Sequence, residues 1–333
     1  PNIHINTHKS KILWPHPSPP PSELVEQCRS RNLELVLESA ENIGVLFGSN
    51  HEATVEYNNK KVRSYQKLYD ALTDPQMPPQ VATGILRECA SAKLTYRART
   101  ANPRSMAEAA KIFDTDRIRV YNQINRLQTT PDSTTSDFLF DTALGFRLAQ
   151  YYIVPAFYAA ATVAAHSDPT LFQHEPHNMN PYIQHFQDSW SFLVQQGLQT
   201  ADELPLDDGE YTLHSLSTLP ADFTKIPTFY HPALNAEDPC KIQRALSKAL
   251  AGMRQDHILS TADDATRARL NSLLTRGALA WFRSPPTSPE TTFQPDEWRE
   301  AIKFINDSPP DVRINKCLCG RDDPSSTHLL TCY

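Results

Sequence analysis

Proline is the residue that most restricts how this chain can fold. The 333 residues include 27 prolines but only 9 glycines. Proline fixes φ and has no amide hydrogen, so it ends helices and stiffens connectors, and glycine is scarce for tight turns. We therefore expect an α+β protein that is predominantly α-helical, with interrupted helices joined by stiff connectors and only a small β region.

The N-terminal segment carries the clearest β pattern. Residues 3–13 alternate branched apolar and polar side chains and predict two strands around a turn. Residues 33–37 and 43–47 are predicted to pair as a hairpin across a turn at 39–42. Because the chain opens with Pro1 directly before the first strand, we expect that further residues precede it in the natural protein.

Helical periodicity dominates the rest of the chain. Residues 138–165 are strongly apolar and predict a buried helix pair, broken at Pro155. Neither a secretory signal nor a transmembrane segment is visible, so no membrane partner is expected. Further helices are expected at 62–72, 82–96, 106–127, 241–253, 265–282 and 295–305.

Charge is segregated along the sequence. The chain has a net charge of −6, yet residues 60–126 carry +7, which leaves −13 for the remainder. A basic segment within an acidic chain is typical of a domain that faces nucleic acid, although a solvated helical surface gives the same pattern. Lys93 and Arg97, one helical turn apart, predict a basic ridge that continues to Arg99 and Arg104. The interleaved Tyr96 and Tyr121 lie on apolar stripes and are expected in the core.

The C-terminus carries the sharpest chemical pattern, Cys317-x-Cys319-Gly320 followed by His328-x-x-x-Cys332. Three thiolates and one imidazole form a sufficient ligand set for a closed, tetrahedral structural zinc, and the glycine permits a tight turn. With no position left open for water, zinc would fold a small module rather than catalyse a reaction. The alternative is a tail of free thiols.

The other cysteines are isolated along the sequence. Cys28, Cys89 and Cys240 have no Cys neighbours, which indicates a reducing compartment, nuclear or cytoplasmic.

Several of these motifs together resemble one protein family. The pattern Asn6-x-x-Lys9-Ser10, followed by the run from Asn42 to Gly48, resembles the end of the palm of a non-LTR retrotransposon reverse transcriptase with its primer-grip hairpin. Residues 72–100 resemble the thumb of that family. Residues 278–332 resemble its C-terminal Cys/His tail, whereas the middle third matches only loosely.

The resemblance implies four segments along the chain. They are a palm remnant with a primer-grip-like hairpin at 1–58, a basic helical thumb-like domain at 59–128, a helical connector with proline-rich loops at 129–310, and a zinc knuckle at 311–333.

By this resemblance the chain is the C-terminal part of an RNA-directed DNA polymerase that binds RNA or an RNA/DNA template–primer. It contains no Tyr-x-Asp-Asp box and no earlier palm aspartate motif, so it is expected to be inactive alone and to need Mg²⁺ only with a palm. The family assigns a general-acid role to the lysine at Lys9; without the resemblance, Lys9 and Lys11 are the polar face of an edge strand. The implied nucleic-acid contacts are Lys9, Lys11, Gly44, Gly48, Lys60, Lys61, Arg63, Lys93, Arg97, Arg99 and Arg104.

Two other classes of function stay open. One is a domesticated or degenerate retroelement product that serves only as a nucleic-acid-binding or protein-interaction module. The other is an enzyme with a nonmetal site, for which the sequence shows no nucleophile beside a general base at a suitable spacing. No small-molecule substrate is expected for this chain alone.

Overall fold

The protein is described from a computed structural model. The described residues are 10–14, 18–37, 39–42, 44–48, 50–127, 137–167, 189, 192–193, 239–306 and 308. Within them the chain is predominantly helical, with two small two-stranded sheets, which confirms the expected α+β class.

The chain divides into two compact units, each assembled from three separate stretches. Unit 1 comprises Pro1–Ser64, Thr95–Ile112 and Ile153–Gln243, and unit 2 comprises Tyr65–Leu94, Phe113–Tyr152 and Arg244–Tyr333. The four segments predicted from the sequence stay predictions, and the boundary predicted between residues 128 and 129 lies outside the described residues.

The first sheet of unit 1 is a parallel pair. Strand β1 (Lys11–Leu13) pairs with β2 (Glu34–Val36), and helix α1 (Ser22–Ser30) lies between them in the chain. Parallel strands need such a crossover connection, because a tight turn cannot join their ends. The strand expected at the end of residues 3–13 is confirmed at β1; residues 3–9 lie outside the described residues.

The second sheet is an antiparallel hairpin. Strand β3 (Ser39–Asn42) pairs with β4 (Val45–Gly48), with Asn42 opposite Val45, so a two-residue turn joins them. The predicted hairpin was therefore wrong, since its turn at 39–42 is a strand and most of residues 33–37 pair with β1. Gly44 has φ of +77°, which permits a shorter turn, and a shorter loop is less costly to close.

Besides a 3-10 helical turn at Pro289–Thr291, ten further α-helices with defined bounds follow the hairpin among the described residues. They are α2 (His51–Arg63), α3 (Gln66–Leu72), α4 (Pro79–Ile85), α5 (Thr95–Thr100), α6 (Pro103–Asn125), α7 (Ala149–Ser167), α8 (Pro239–Thr261), α9 (Asp264–Leu274), α10 (Ala280–Arg283) and α11 (Pro295–Ile305), with π-helical turns at Leu86–Ala90 and Leu139–Ala143.

Most helical predictions are confirmed, and the corrections concern helix ends and interruptions, including a turn at 275–279 within the expected helix at 265–282. Helix α2 starts well before the expected helix at 62–72, because the Oδ1 atom of Asn50 caps it by accepting a hydrogen bond from the Ala53 amide at 3.0 Å. The expected helix at 82–96 is instead interrupted by a turn at Lys93 and Leu94.

Helix α7 was predicted to break at Pro155, but it continues through this residue. Proline removes one hydrogen bond to the carbonyl four residues earlier. The flanking Val154, Ala156 and Phe157 are buried, so packing compensates for the lost bond. No described helix is long and apolar enough to cross a bilayer.

Unit 2 is built around an aromatic core. The rings of Phe140 and Phe146 stack with centroids 4.0 Å apart, and Phe282 stacks on Trp298 at 5.6 Å. Trp298, on α11, is fully buried, and its indole nitrogen donates to the Oδ1 atom of Asn125 at 2.9 Å. The expected helix at 295–305 is thus confirmed.

Candidate nucleic-acid interface

The C-terminal turn of α2 concentrates positive charge in unit 1. Lys60, Lys61 and Arg63 all lie in this last turn, where the helix dipole favours cations. Lys60 and Arg63 are exposed, whereas Asn58 is buried and donates from Nδ2 to the Ser105 carbonyl at 3.2 Å. The helix therefore packs through one face and presents its cations to solvent.

Helix α2 also contributes to a mixed cluster beside the hairpin. The Lys61 Nζ atom lies 3.4 Å from the Glu41 Oε1 atom and 5.0 Å from the centre of the Tyr57 ring. The Arg97 guanidinium, from α5, lies 5.4 Å from the same ring. A Cβ atom at Gly44 would lie 3.7 Å from the Nη2 atom of Arg97, so the hairpin turn approaches this arginine closely.

The charges of this cluster support one another. The pKa of Glu41 is lowered, chiefly by the neighbouring Tyr57 hydroxyl and then by Lys61 and Arg97, against the opposing effect of burial. The pKa of Lys61 is raised, again chiefly by Tyr57. The hydroxyl acts here through proximity, because it makes no hydrogen bond of good geometry. Both ionic forms are therefore favoured at neutral pH.

Two polar atoms of the cluster are buried without any hydrogen-bond partner, the hydroxyl of Tyr57 and the Nη1 atom of Arg97. Arg97 as a whole is only 9% exposed. Buried donors in proteins nearly always have a partner, so an unsatisfied pair in one cluster calls for an explanation.

The structure brings three of the predicted contacts together, namely Gly44, Lys61 and Arg97. The predicted exposed ridge of Lys93 and Arg97 was wrong, because Lys93 lies in a turn and Arg97 is buried. The chain turns between them, so their sequence spacing does not place them on one helix face.

The remaining predicted contacts are distributed over several elements. Lys11 pairs with Glu34 at 2.8 Å, and Gly48 ends β4 opposite Ser39. Arg99 donates from Nε to the Oε1 atom of Gln243 at 3.0 Å, and Arg104 is exposed near the start of α6. Lys9 lies outside the described residues.

Sequence reasoning missed two aromatic residues of unit 1. Tyr96 was expected in the core, yet it is 47% exposed, whereas Tyr121 of unit 2 is buried as expected. The missed start of α2 also concealed Tyr57, which lies one helical turn before Lys61. The Asn50 cap was the available signal for that helix start.

A second cluster of charged residues lies in unit 2, around Arg117, which is fully buried. Its Nη2 atom donates to the Ser91 Oγ atom at 2.5 Å and to the Phe146 carbonyl, and its Nη1 atom donates to the Arg147 carbonyl at 3.2 Å. The guanidinium also lies 5.0 Å from the centre of the Phe113 ring. These contacts to backbone and rings are those of a structural arginine.

Two aspartates complete this cluster at the start of α7. Asp114 accepts hydrogen bonds from the amides of Ala149 and Gln150 at 2.8 and 2.9 Å. Asp141 accepts from the Leu148 amide at 2.6 Å and pairs with Arg254 at 2.5 Å. Burial raises the pKa of Asp114 to about 7 and also raises that of Asp141. The aspartates therefore cap the N-terminus of α7.

The described part of the chain lacks a cluster of metal-ligating side chains. Within it, no group of three His, Cys, Asp or Glu residues is placed to hold a metal. The predicted zinc ligands Cys317, Cys319, His328 and Cys332 lie outside it, so the zinc site stays a prediction.

Comparison with protein-family models, curated proteins and solved structures found no match to this chain.

Proposed function

We propose that this chain binds RNA or an RNA–DNA duplex through the phosphate backbone, as the C-terminal part of a retroelement-type reverse transcriptase. The observation that carries the proposal is the position of the cations at the end of α2. Lys60 and Arg63 are exposed there, and Lys61 and Arg97 flank the hairpin turn at Gly44. These residues are also among those that the family resemblance assigns to nucleic-acid contact.

Cations of this kind suit a polyanion because each neutralised phosphate releases condensed counterions. Such contacts position the protein on the backbone and carry no sequence information directly. The exposed Tyr96 and Phe47, 47% and 41% accessible, add aromatic surface that can stack on unpaired bases. We therefore expect binding with little sequence preference.

The other parts of the proposal rest on the sequence. The chain alone would not polymerise, since the palm aspartates that hold Mg²⁺ are absent from these residues. Cys317, Cys319, His328 and Cys332 would bind a structural zinc that folds the C-terminal module. Nuclear or cytoplasmic localisation follows from the isolated cysteines.

The test is binding of a short fluorescent RNA–DNA hybrid by the full 333-residue chain, followed by anisotropy over a range of salt concentrations. We expect the double variant Lys60→Glu/Arg63→Glu to bind at least about tenfold more weakly. It should also lower the slope of log K against log salt by about 2, as for two lost phosphate contacts.

The matched control is Arg244→Glu/Lys248→Glu on α8. Both residues are exposed and lie one helical turn apart, so the change in net charge is the same but falls in unit 2. Equal losses in both double variants would reduce the effect to overall charge and contradict the proposed interface. Binding that does not change with salt would favour a protein-interaction module instead.

A further inference from the structure

The cluster beside the hairpin has more hydrogen-bond donors than its single carboxylate satisfies. Glu41 pairs with Lys61, its Oε1 atom lying 3.4 Å from Nζ. The Tyr57 hydroxyl and the Arg97 Nη1 atom lie in the same cluster, buried and without a partner. Two cations face one anion here, so the cluster retains a net positive charge.

A phosphate group matches these donors better than a carboxylate does. Its oxygens point in several directions, so one phosphate can accept from an ammonium, a hydroxyl and a guanidinium at once. Unsatisfied buried donors favour a ligand that pairs with them, because leaving them unpaired is costly.

Glu41 is well placed to exchange with such a ligand. Its side chain is 49% exposed and that of Lys61 is 36% exposed, and ion pairs of this kind are weak. Rotation of Glu41 into solvent would free the Lys61 ammonium. Gly44 has no side chain, and a Cβ atom there would lie 3.7 Å from the Arg97 Nη2 atom.

We propose that Tyr57, Lys61 and Arg97 form a phosphate-binding site, and that the Glu41 carboxylate, through its pair with Lys61, competes with the ligand for this site. The ligand is a phosphate oxyanion, either a backbone phosphate of nucleic acid or free phosphate. The backbone case rests on the proposed function.

The decisive variant is Glu41→Gln, with Glu34→Gln as the matched control. Both residues are exposed strand glutamates of unit 1 that pair with a lysine, so the two substitutions change charge equally. We expect Glu41→Gln to bind the RNA–DNA hybrid about fivefold more tightly, and Glu34→Gln less than about twofold, the range of an exposed ion pair. Equal gains would reduce the effect to net charge and overturn the proposal.

The Tyr57 hydroxyl provides an independent test of the site. Tyr57→Phe keeps the ring that Lys61 and Arg97 both approach but removes the unpaired donor, so it should abolish the gain of Glu41→Gln. Tyr151→Phe is the control, at a tyrosine of unit 2 whose ring centre lies 3.5 Å from the Arg254 guanidinium, and it should leave that gain unchanged. A full gain in the Glu41→Gln/Tyr57→Phe double variant would contradict the site.

Inorganic phosphate separates the two sources of ligand. We expect it to raise the melting temperature of Glu41→Gln more than that of Glu34→Gln, relative to sodium chloride of equal ionic strength. If phosphate does so while the hybrid does not bind, the site stands and the proposed function fails. If the hybrid binds both variants with equal affinity and phosphate does not distinguish them either, the proposed function stands and the site is overturned.

Discussion

Within the described residues, each unit buries one arginine beside aromatic rings, but the two arginines are used differently. In unit 2, both terminal nitrogens of Arg117 donate to backbone carbonyls or side chains, and only its Nε atom lacks a partner. In unit 1, the Nη1 atom of Arg97 is buried with no partner. An arginine whose terminal donors are satisfied internally holds the fold, whereas one with a terminal donor left over can hold a ligand.

The loop whose carbonyls accept hydrogen bonds from Arg117 has an unusual backbone conformation. Gly145 and Arg147 both have positive φ, +75° and +56°, in the loop that leads into α7. The loop directs the carbonyls of Phe146 and Arg147 at the guanidinium. A positive φ at Arg147 is unfavourable by itself, so the bonds to Arg117 compensate for it.

Replacing each arginine by methionine gives the strongest test of this difference. Arg117→Met leaves Asp114 buried without its cation, and we expect it to lower the free energy of unfolding by about 3–5 kcal/mol at a pH above 7. Arg97→Met breaks no hydrogen bond at Nη1, so we expect a loss of less than about 1.5 kcal/mol together with weaker binding of the RNA–DNA hybrid. Urea denaturation and anisotropy measure the two effects.

The comparison would fail if Arg97→Met destabilised the protein as much as Arg117→Met. It would also fail if Arg117→Met remained folded and stable while losing hybrid binding, because Arg117 would then belong to the interface.

How much of the structure can be predicted from the sequence differs between the two units. Helix periodicity placed α6 and α11 correctly, since the apolar faces that contain Val120, Ile124, Trp298 and Ile302 are regular. The hairpin was misplaced because short apolar runs give no register, whereas a single positive φ at Gly44 decides the turn.

The candidate site was only partly accessible from sequence for a related reason. Composition and charge identified the basic segment that contains Lys61 and Arg97. They did not show that Lys61 is partly exposed whereas Arg97 is buried. Tyr57 was missed because it lies before the expected helix, and Glu41 because an acidic residue does not suggest a phosphate site. Tertiary contacts between α2, α5 and the hairpin decide these roles, and the spacing of residues in the chain does not encode them.

The pH dependence of stability gives a second, smaller contrast between the units. Burial raises the pKa of Asp114 from near 4 to about 7, outweighing Arg117 and the two amides that lower it. Between these values the folded state binds a proton that the unfolded state has released. The contribution of Asp114 is therefore fully present below about pH 4 and is lost as the pH rises through 7, by roughly 2–4 kcal/mol.

Urea denaturation from about pH 5 to about pH 8 measures how the free energy of unfolding changes with pH. Asp114→Asn should make this change smaller. The raised pKa of Asp141 should leave a residual change of the same sign. In unit 1 the lowered pKa of Glu41 acts in the opposite direction, so its contribution is lost as the pH falls. An unchanged slope in Asp114→Asn would show that the buried carboxyl stays ionised throughout, held by Arg117 and the α7 amides.

The smallest expected effect concerns the turn that places Arg97 beside the hairpin. Gly44→Ala adds a Cβ atom at φ +77°, which strains the backbone and should lower the free energy of unfolding by about 1–2 kcal/mol. Gly252→Ala, inside α8, meets nothing within 4 Å and should raise it by up to about 1 kcal/mol, because alanine favours helix. If urea denaturation shows that Gly44→Ala lowers and Gly252→Ala raises the free energy of unfolding, glycine is required at position 44 for its conformation. If Gly44→Ala leaves the free energy of unfolding unchanged, the two-residue turn tolerates another geometry.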